Sequence, residues 1–282
     1  MKRMLFLMIL TTALFAGPQY TKKDIMGVWR LTKFVIQDSQ GGEVSWCDGV
    51  NGTIAYLPDL MSVSLNCEKV EVGSGAEKIG GHLFYSGPYE VDSKTNEVIH
   101  RVRNFSHEDL NKVYRRRIEM RNENHLKLIG LLGKGEKVIV EWERAESFKY
   151  DNSDLFGVWE LVGSENEVDG SDETIPFCKG FYGTILYTPG GYNAVSINCD
   201  DKKADSATEP ADQFGRKFFY AGSYELEKNV LIQTPDNASE SFLIGEPGKR
   251  EMKIEKDLLI LEGVNGSKFV AKWRKRSSFM SF

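Results

Sequence analysis

The chain states one pattern twice. Gly27-Val28-Trp29-Arg30-Leu31 returns at 157–161 as Gly157-Val158-Trp159-Glu160-Leu161. The register then holds with small gaps. "CDGVNGTIAYLPDLMSVSLNC" (47–67) lies over "CKGFYGTILYTPGGYNAVSINC" (178–199), "FYSGPYEV" (84–91) over "FYAGSYEL" (219–226), and "VIVEWERAESF" (138–148) over "FVAKWRKRSSF" (269–279). Four blocks in one order are the mark of an internal duplication, and two copies of a unit of about 125 residues make two domains, not a solenoid. A chain of 282 residues has room for both. The join falls in the short polar stretch between Phe148 and Leu155, so the units sit close together. We place the first at 22–149 and the second at 152–282.

Within each unit the periodicity is two. Thr53-Ile54-Ala55-Tyr56, Ser62-Val63-Ser64-Leu65-Asn66 and Val138-Ile139-Val140-Glu141-Trp142 alternate apolar with polar. Turn residues separate them, as at Pro58-Asp59, Gly133-Lys134-Gly135 and Pro189-Gly190-Gly191. No long amphipathic helix interrupts. About eight short strands per unit form an antiparallel meander, and closing it removes the exposed edges. Each unit has its own first and last strand. The expected fold class is therefore all-β: two tandem small antiparallel up-and-down β-barrels.

Residues 1–16 belong to neither barrel. Lys2 and Arg3 precede a short apolar run that ends at Ala16, the form of a secretory signal peptide, with an uncleaved N-terminal anchor as the other reading. Without Lys2 and Arg3 the 36 basic residues fall to 34 against 41 acidic ones, a net charge of −7. That balance argues against a nucleic-acid binder. The strands carry charge on both faces, which argues against stable membrane insertion. The expected setting is periplasmic or secreted. Each unit has two cysteines at matching places, and an exported chain with an even count favours disulfides. Cys47 with Cys67 and Cys178 with Cys199 treats both units alike, each closing a loop worth roughly 3 kcal/mol; pairing between units is the alternative.

Several residues are candidates for chemistry. Tyr56, Tyr85 and Tyr89 recur as Tyr187, Tyr220 and Tyr224. Alternation puts Tyr85, Gly87 and Tyr89 on one strand face, with the glycine making room between phenols. If that face points inward, phenols line a cavity suited to an amphipathic ligand. Arg115, Arg116 and Arg117 are consecutive, so Arg116 faces opposite to the other two, and an arginine inside a small barrel binds carboxylate well. Ser64 with Asn66, and Ser196 with Asn198, read as a solvated face. The four histidines, His82, His100, His107 and His125, lack metal-ligand spacing, and no metal or other cofactor is expected. No serine sits in a nucleophile elbow, so no catalytic residue is assigned. Asn51, Asn104, Asn237 and Asn265 fit the glycosylation sequon.

The repeated Gly-x-Trp resembles the signature of lipocalins and their calycin relatives. The wider set ("GVWRL", "GTIAYLPDLMSVSL", "YSGPYEV", "VEWER") resembles the bacterial and fungal lipocalin-like domain family. The resemblance implies that Trp29 and Trp159 plug the closed ends of the barrels, with Arg144 and Lys275 packed across the indoles. "VIHRV" (98–102) is similar to the family's histidine-bearing strand and draws His100 toward the cavity. The second unit departs there, with "VLIQT" (230–234). The expected function is a monomeric two-barrel protein that binds a small hydrophobic or amphipathic molecule in one or both barrels. The alternatives are a calycin-type isomerase or cyclase acting on a lipid-like substrate, and a structural envelope protein with filled barrels.

Overall fold

A computed structural model describes residues 18–70, 81–106, 113–145, 154–167, 174–175, 178, 180–199, 217–264 and 269–278. The signal-peptide expectation at 1–16, and His107 and Asn265, lie outside them. A one-turn helix, α1 (Lys22–Ile25), leads into two antiparallel sheets. The first holds β1 (Gly27–Gln37), β2 (Glu43–Ser45), β3 (Asp48–Tyr56), β4 (Met61–Lys69), β5 (His82–Gly87), β6 (Tyr89–Asp92), β7 (Glu97–Arg101), β8 (Asn104–Phe105), β9 (Val113–Asn122), β10 (His125–Leu131) and β11 (Lys137–Arg144). The second holds β12 (Gly157–Glu167), β13 (Thr174–Ile175), β14 (Phe181–Tyr187), β15 (Tyr192–Cys199), β16 (Lys217–Glu227), β17 (Val230–Ala238), β18 (Gly248–Glu255), β19 (Leu258–Gly263) and β20 (Val270–Ser278).

Alternation is what makes these segments strands. In β18 half-buried and exposed residues alternate without a break, and in β10 half-buried and buried residues alternate up to its exposed last residue. The second sheet closes as a barrel by direct pairing of β12 with both β14 and β20. The first curls the same way, β1 pairing with β3 and β11. Here the strand equivalent to β16 is split into β5 and β6 at Pro88, which has no N–H to donate. The ladder nevertheless runs on: Arg101 N donates to Pro88 O and Arg103 N to Ser86 O, both at 2.9 Å.

The glycine of the Gly-x-Trp pattern has two physical reasons. Gly27 has φ +119°, and a Cβ there would lie 2.7 Å from Arg144 Nη1; Gly157 repeats the left-handed backbone at φ +126°. Gly87 corrects an expectation. It opens no space between phenols. A Cβ on Gly87 would lie 2.0 Å from Arg101 O, and one on Gly222 would lie 2.2 Å from Thr234 O. In the second barrel the register shifts between Ala221 and Gly222. These glycines let neighbouring backbones close up where the ladder is irregular.

Both disulfides form as expected, Cys47–Cys67 and Cys178–Cys199.

The two barrels share a buried seam, and it overturns the solvated face expected at Ser64 and Ser196. Both serines are buried. The outward faces of β3, β4 and β5 pack on those of β14, β15 and β16. Val28, Ala55, Leu57 and Leu60 meet Val158, Leu186, Ala194 and Ala221 in one apolar cluster. Phe84 stacks on its own repeat, Phe219, with ring centroids 4.5 Å apart. Small hydroxyls pair among themselves beside it: Asn104 Nδ2 donates to Ser196 Oγ at 2.9 Å, and Ser196 Oγ lies 3.0 Å from Thr184 Oγ1 and 3.3 Å from Ser86 Oγ. Asp59, in a turn of the first barrel, takes bonds from Arg276 Nε and Ser277 Oγ of β20 at 3.1 and 2.6 Å. The seam also buries the sequon asparagines Asn104 and Asn237, whereas Asn51 is exposed.

Candidate functional site

The closed ends repeat the same tryptophan geometry, with a different cation at each. Trp29 Nε1 donates to Ile25 O and Trp159 Nε1 to Leu155 O, each at 2.8 Å, and both indoles are fully buried. The Arg144 guanidinium lies 4.1 Å from the Trp29 ring centre, and Lys275 Nζ lies 4.5 Å from that of Trp159. Arg144 also donates to the carbonyls of Met26, Glu123 and Asp24, at 2.6, 3.0 and 3.2 Å. Lys275 bonds the Asp154 carbonyl, and burial holds its pKa below the usual lysine value. Arginine's planar fork serves several acceptors at once, where the ammonium is a point charge. Arg144→Met is therefore expected to cost about 2 kcal/mol, more than Lys275→Met, read as the shift in urea midpoint.

Above the plug of the first barrel, His100 on β7 is buried between two phenols. Tyr56 Oη lies 2.8 Å from Nε2 and Tyr85 Oη 3.1 Å from Nδ1. A neutral imidazole satisfies both contacts, one ring nitrogen donating to a phenol oxygen and the other accepting a phenol proton. Burial first, and then the Arg116 charge, push the His100 pKa down to about 3. Burial holds the Tyr56 and Tyr85 hydroxyls well above the usual phenol value. Tyr89 sits against Tyr56 with ring centres 4.9 Å apart, and its hydroxyl has no partner among the described residues. Arg116 does point inward. It stacks on Tyr114 at 4.8 Å, among inward-facing neighbours.

The second barrel rebuilds this arrangement with residues that sequence reading did not single out. Tyr89 stands opposite His100, and its repeat Tyr224 stands opposite Gln233. Gln233 therefore occupies the histidine's place, and it makes the same bridge. Tyr220 Oη donates to Gln233 Oε1 at 3.1 Å, and Gln233 Nε2 donates to Tyr187 Oη at 3.3 Å. Val98 stands opposite Arg116 and Leu231 opposite Arg250, so Arg250 is the counterpart of Arg116. It stacks on Phe269 at 4.9 Å. Burial pushes the Tyr220 pKa up to about 12, with Arg250 and the Gln233 bond opposing the rise. Tyr187 is likewise raised by burial, and Tyr224 is committed to the Thr188 carbonyl at 2.6 Å. In that register "GKREMKI" (248–254) lies over "YRRRIEM" (114–120), and only the strand pairing fixes it.

Each barrel holds an internal cavity. That of the first is about 90 Å³ and is lined by Tyr85, His100, Tyr114 and Arg116 among aliphatic side chains. That of the second is about 250 Å³ and is lined by Tyr220, Gln233 and Arg250 in a similar frame. Tyr56, Tyr89, Tyr187 and Tyr224 lie in the floor, outside both linings. The size difference has a local cause. Opposite-strand pairing matches Phe34 with Ser164, Val140 with Ala271 and Tyr114 with Gly248, so three side chains shrink in the second barrel. A larger open groove of about 800 Å³ lies along β9–β11, but its charges are largely paired with one another, as Arg115 with Glu97 and Lys127 with Glu119. Among the described residues no group of three His, Cys, Asp or Glu is placed to hold a metal, and no helix is long and apolar enough to cross a membrane.

Two solved structures of designed proteins are similar to part of the chain. One is a redesigned β-barrel, 12% identical, with a TM-score of 0.28, covering 45% of this chain and 96% of its own. The other is a de novo designed fluorescence-activating β-barrel, 16% identical, with a TM-score of 0.27, covering 44% of this chain and 96% of its own. No curated protein matches. The lipocalin-like domain family matches residues 156–280, so over its second barrel this chain is similar to that family.

Proposed function

We propose that the protein is an exported carrier made of two lipocalin-like domains, the first a diverged copy of the second, which holds a small amphipathic molecule inside a barrel. The observation that carries this reading is the internal cavity of about 250 Å³ in the second barrel, apolar on its walls and polar at Tyr220, Gln233 and Arg250. It falls just under the usual range for ligand sites, about 300–1,000 Å³, which points to a small cargo. The matched family is one of barrels, and the two disulfides suit an oxidising compartment outside the cytoplasm. The enzyme reading is weaker. His100 carries a proton-poor, neutral ring with both nitrogens engaged, which is a poor general base at neutral pH.

Native mass spectrometry of the protein purified from its host's cell envelope tests the carrier reading. The expected result is a reproducible adduct that leaves on denaturation. A bare mass from several preparations, together with no binding in a screen of apolar and amphipathic compounds, rules the carrier out in favour of filled, structural barrels.

A further inference from the structure

We propose that the second barrel, not the histidine-bearing first, is the binding barrel, and that it takes a small monocarboxylate whose acid group sits on Arg250 and whose apolar tail fills the space between Ile185, Val195, Leu261 and Trp273. This rests on the carrier reading and narrows it to one barrel and one ligand class.

Three observations converge. The first is volume: the second cavity is nearly three times the size of the first, about 250 against 90 Å³. In the first barrel, Phe34 and Tyr114 are part of the lining and occupy the volume that Ser164 and Gly248 leave open in the second. The second is charge. Among the described residues, Arg250 is the one cation that lines the larger cavity, and no carboxylate lines it. Among the described residues Arg250 bonds only the Lys249 carbonyl, at 2.7 Å, and stacks on Phe269. A half-buried guanidinium that faces an apolar chamber and has no counter-ion among the described residues is a seat for an anion, and its planar fork suits a carboxylate. A single guanidinium balances a single negative charge, so a monocarboxylate fits better than a phosphate dianion. The third is the neighbouring phenol. The Tyr220 proton is already given to Gln233 Oε1. Tyr220 therefore offers a head group its ring and not its proton, and Arg250 supplies the charged donors. A chamber of this size holds on the order of ten non-hydrogen atoms, as in a medium-chain fatty acid or an arylalkanoic acid.

Isothermal titration of the full mature protein, stripped of bound lipid, tests this with octanoate, 3-phenylpropanoate, 1-octanol and octylamine as probes. The expected result is one-to-one binding of the acids, with the alcohol and the amine at least tenfold weaker. Arg250→Gln weakens the acids at least tenfold and leaves the alcohol nearly unchanged. Gly248→Tyr, which restores the first barrel's side chain, removes binding of all probes; Ala271→Val, a smaller filling, covers the case in which the tyrosine variant does not fold. If the alcohol binds as tightly as the acid and both are lost on filling, the carboxylate assignment falls and the carrier reading stands. If Arg116→Gln removes acid binding and Arg250→Gln does not, the choice of barrel is overturned. If no probe binds and native protein carries no adduct, the carrier reading itself fails.

Discussion

Between pH 7 and pH 4 the protein is expected to lose about 3 kcal/mol more folding stability than its His100→Gln variant. The ordinary imidazole value of 6.5 applies to the unfolded chain, whereas burial between Tyr56 and Tyr85, with Arg116 nearby, brings the folded value down to about 3. Between those two values the unfolded state binds more protons than the folded one, so stability rises with pH. His100 thus costs nothing above about pH 6.5. Its penalty grows progressively as the pH falls from about 6.5 toward 3, at about 1.4 kcal/mol per unit. Glutamine is the informative replacement because Gln233 already bridges the equivalent tyrosines in the second barrel. Urea denaturation of both proteins at pH 7, 5.5 and 4 gives the difference, and carboxylates common to both cancel. Parallel loss in the two proteins would show that His100 is protonated without penalty, and hence is not held between the phenols.

Phe219→Ala is expected to cost about 3–5 kcal/mol, the usual range for removing a buried phenylalanine. It is also expected to change the form of the unfolding transition. Phe219 stacks on Phe84 at the centre of the inter-barrel seam, beside the bonded group of Asn104, Ser86, Thr184 and Ser196. While the seam is intact the two barrels are expected to melt together, because neither can expose its half alone without stranding buried apolar surface and hydroxyls. With the ring gone, scanning calorimetry should resolve two transitions, the hydrogen-bonded group being left with poor packing around it. A single, unbroadened transition at lower temperature would mean that the seam contributes stability without coupling the barrels.

These effects mark where sequence reasoning worked. The barrel class and the disulfide pairs were legible, because each rests on a period or a spacing repeated along the chain. Arg116's opposite orientation to Arg115 and Arg117 followed from strand geometry alone. The failures share a different cause. Ser64 and Ser196 looked solvated because a strand pattern shows which residues share a face but not what covers that face. Here a second barrel does. Gln233 looked like a lost histidine because, without the strand register, "VLIQT" shows no partner for its glutamine; the pairing with Tyr224 restores it. Gly87 looked like an opening for ligand and is instead a point of close backbone approach.

The amino-acid sequence by itself determined the architecture: a unit written twice, each copy with its own first strand, last strand and disulfide, and alternation that permits only sheet. The tertiary structure alone decided which barrel has room. Cavity volume is the sum of side chains brought together from separate strands, Phe34 or Ser164, Tyr114 or Gly248, Val140 or Ala271, and no local pattern records that sum. It likewise decided that the outer faces meet, because burial of a surface depends on what packs against it, a property of the folded pair and not of either repeat.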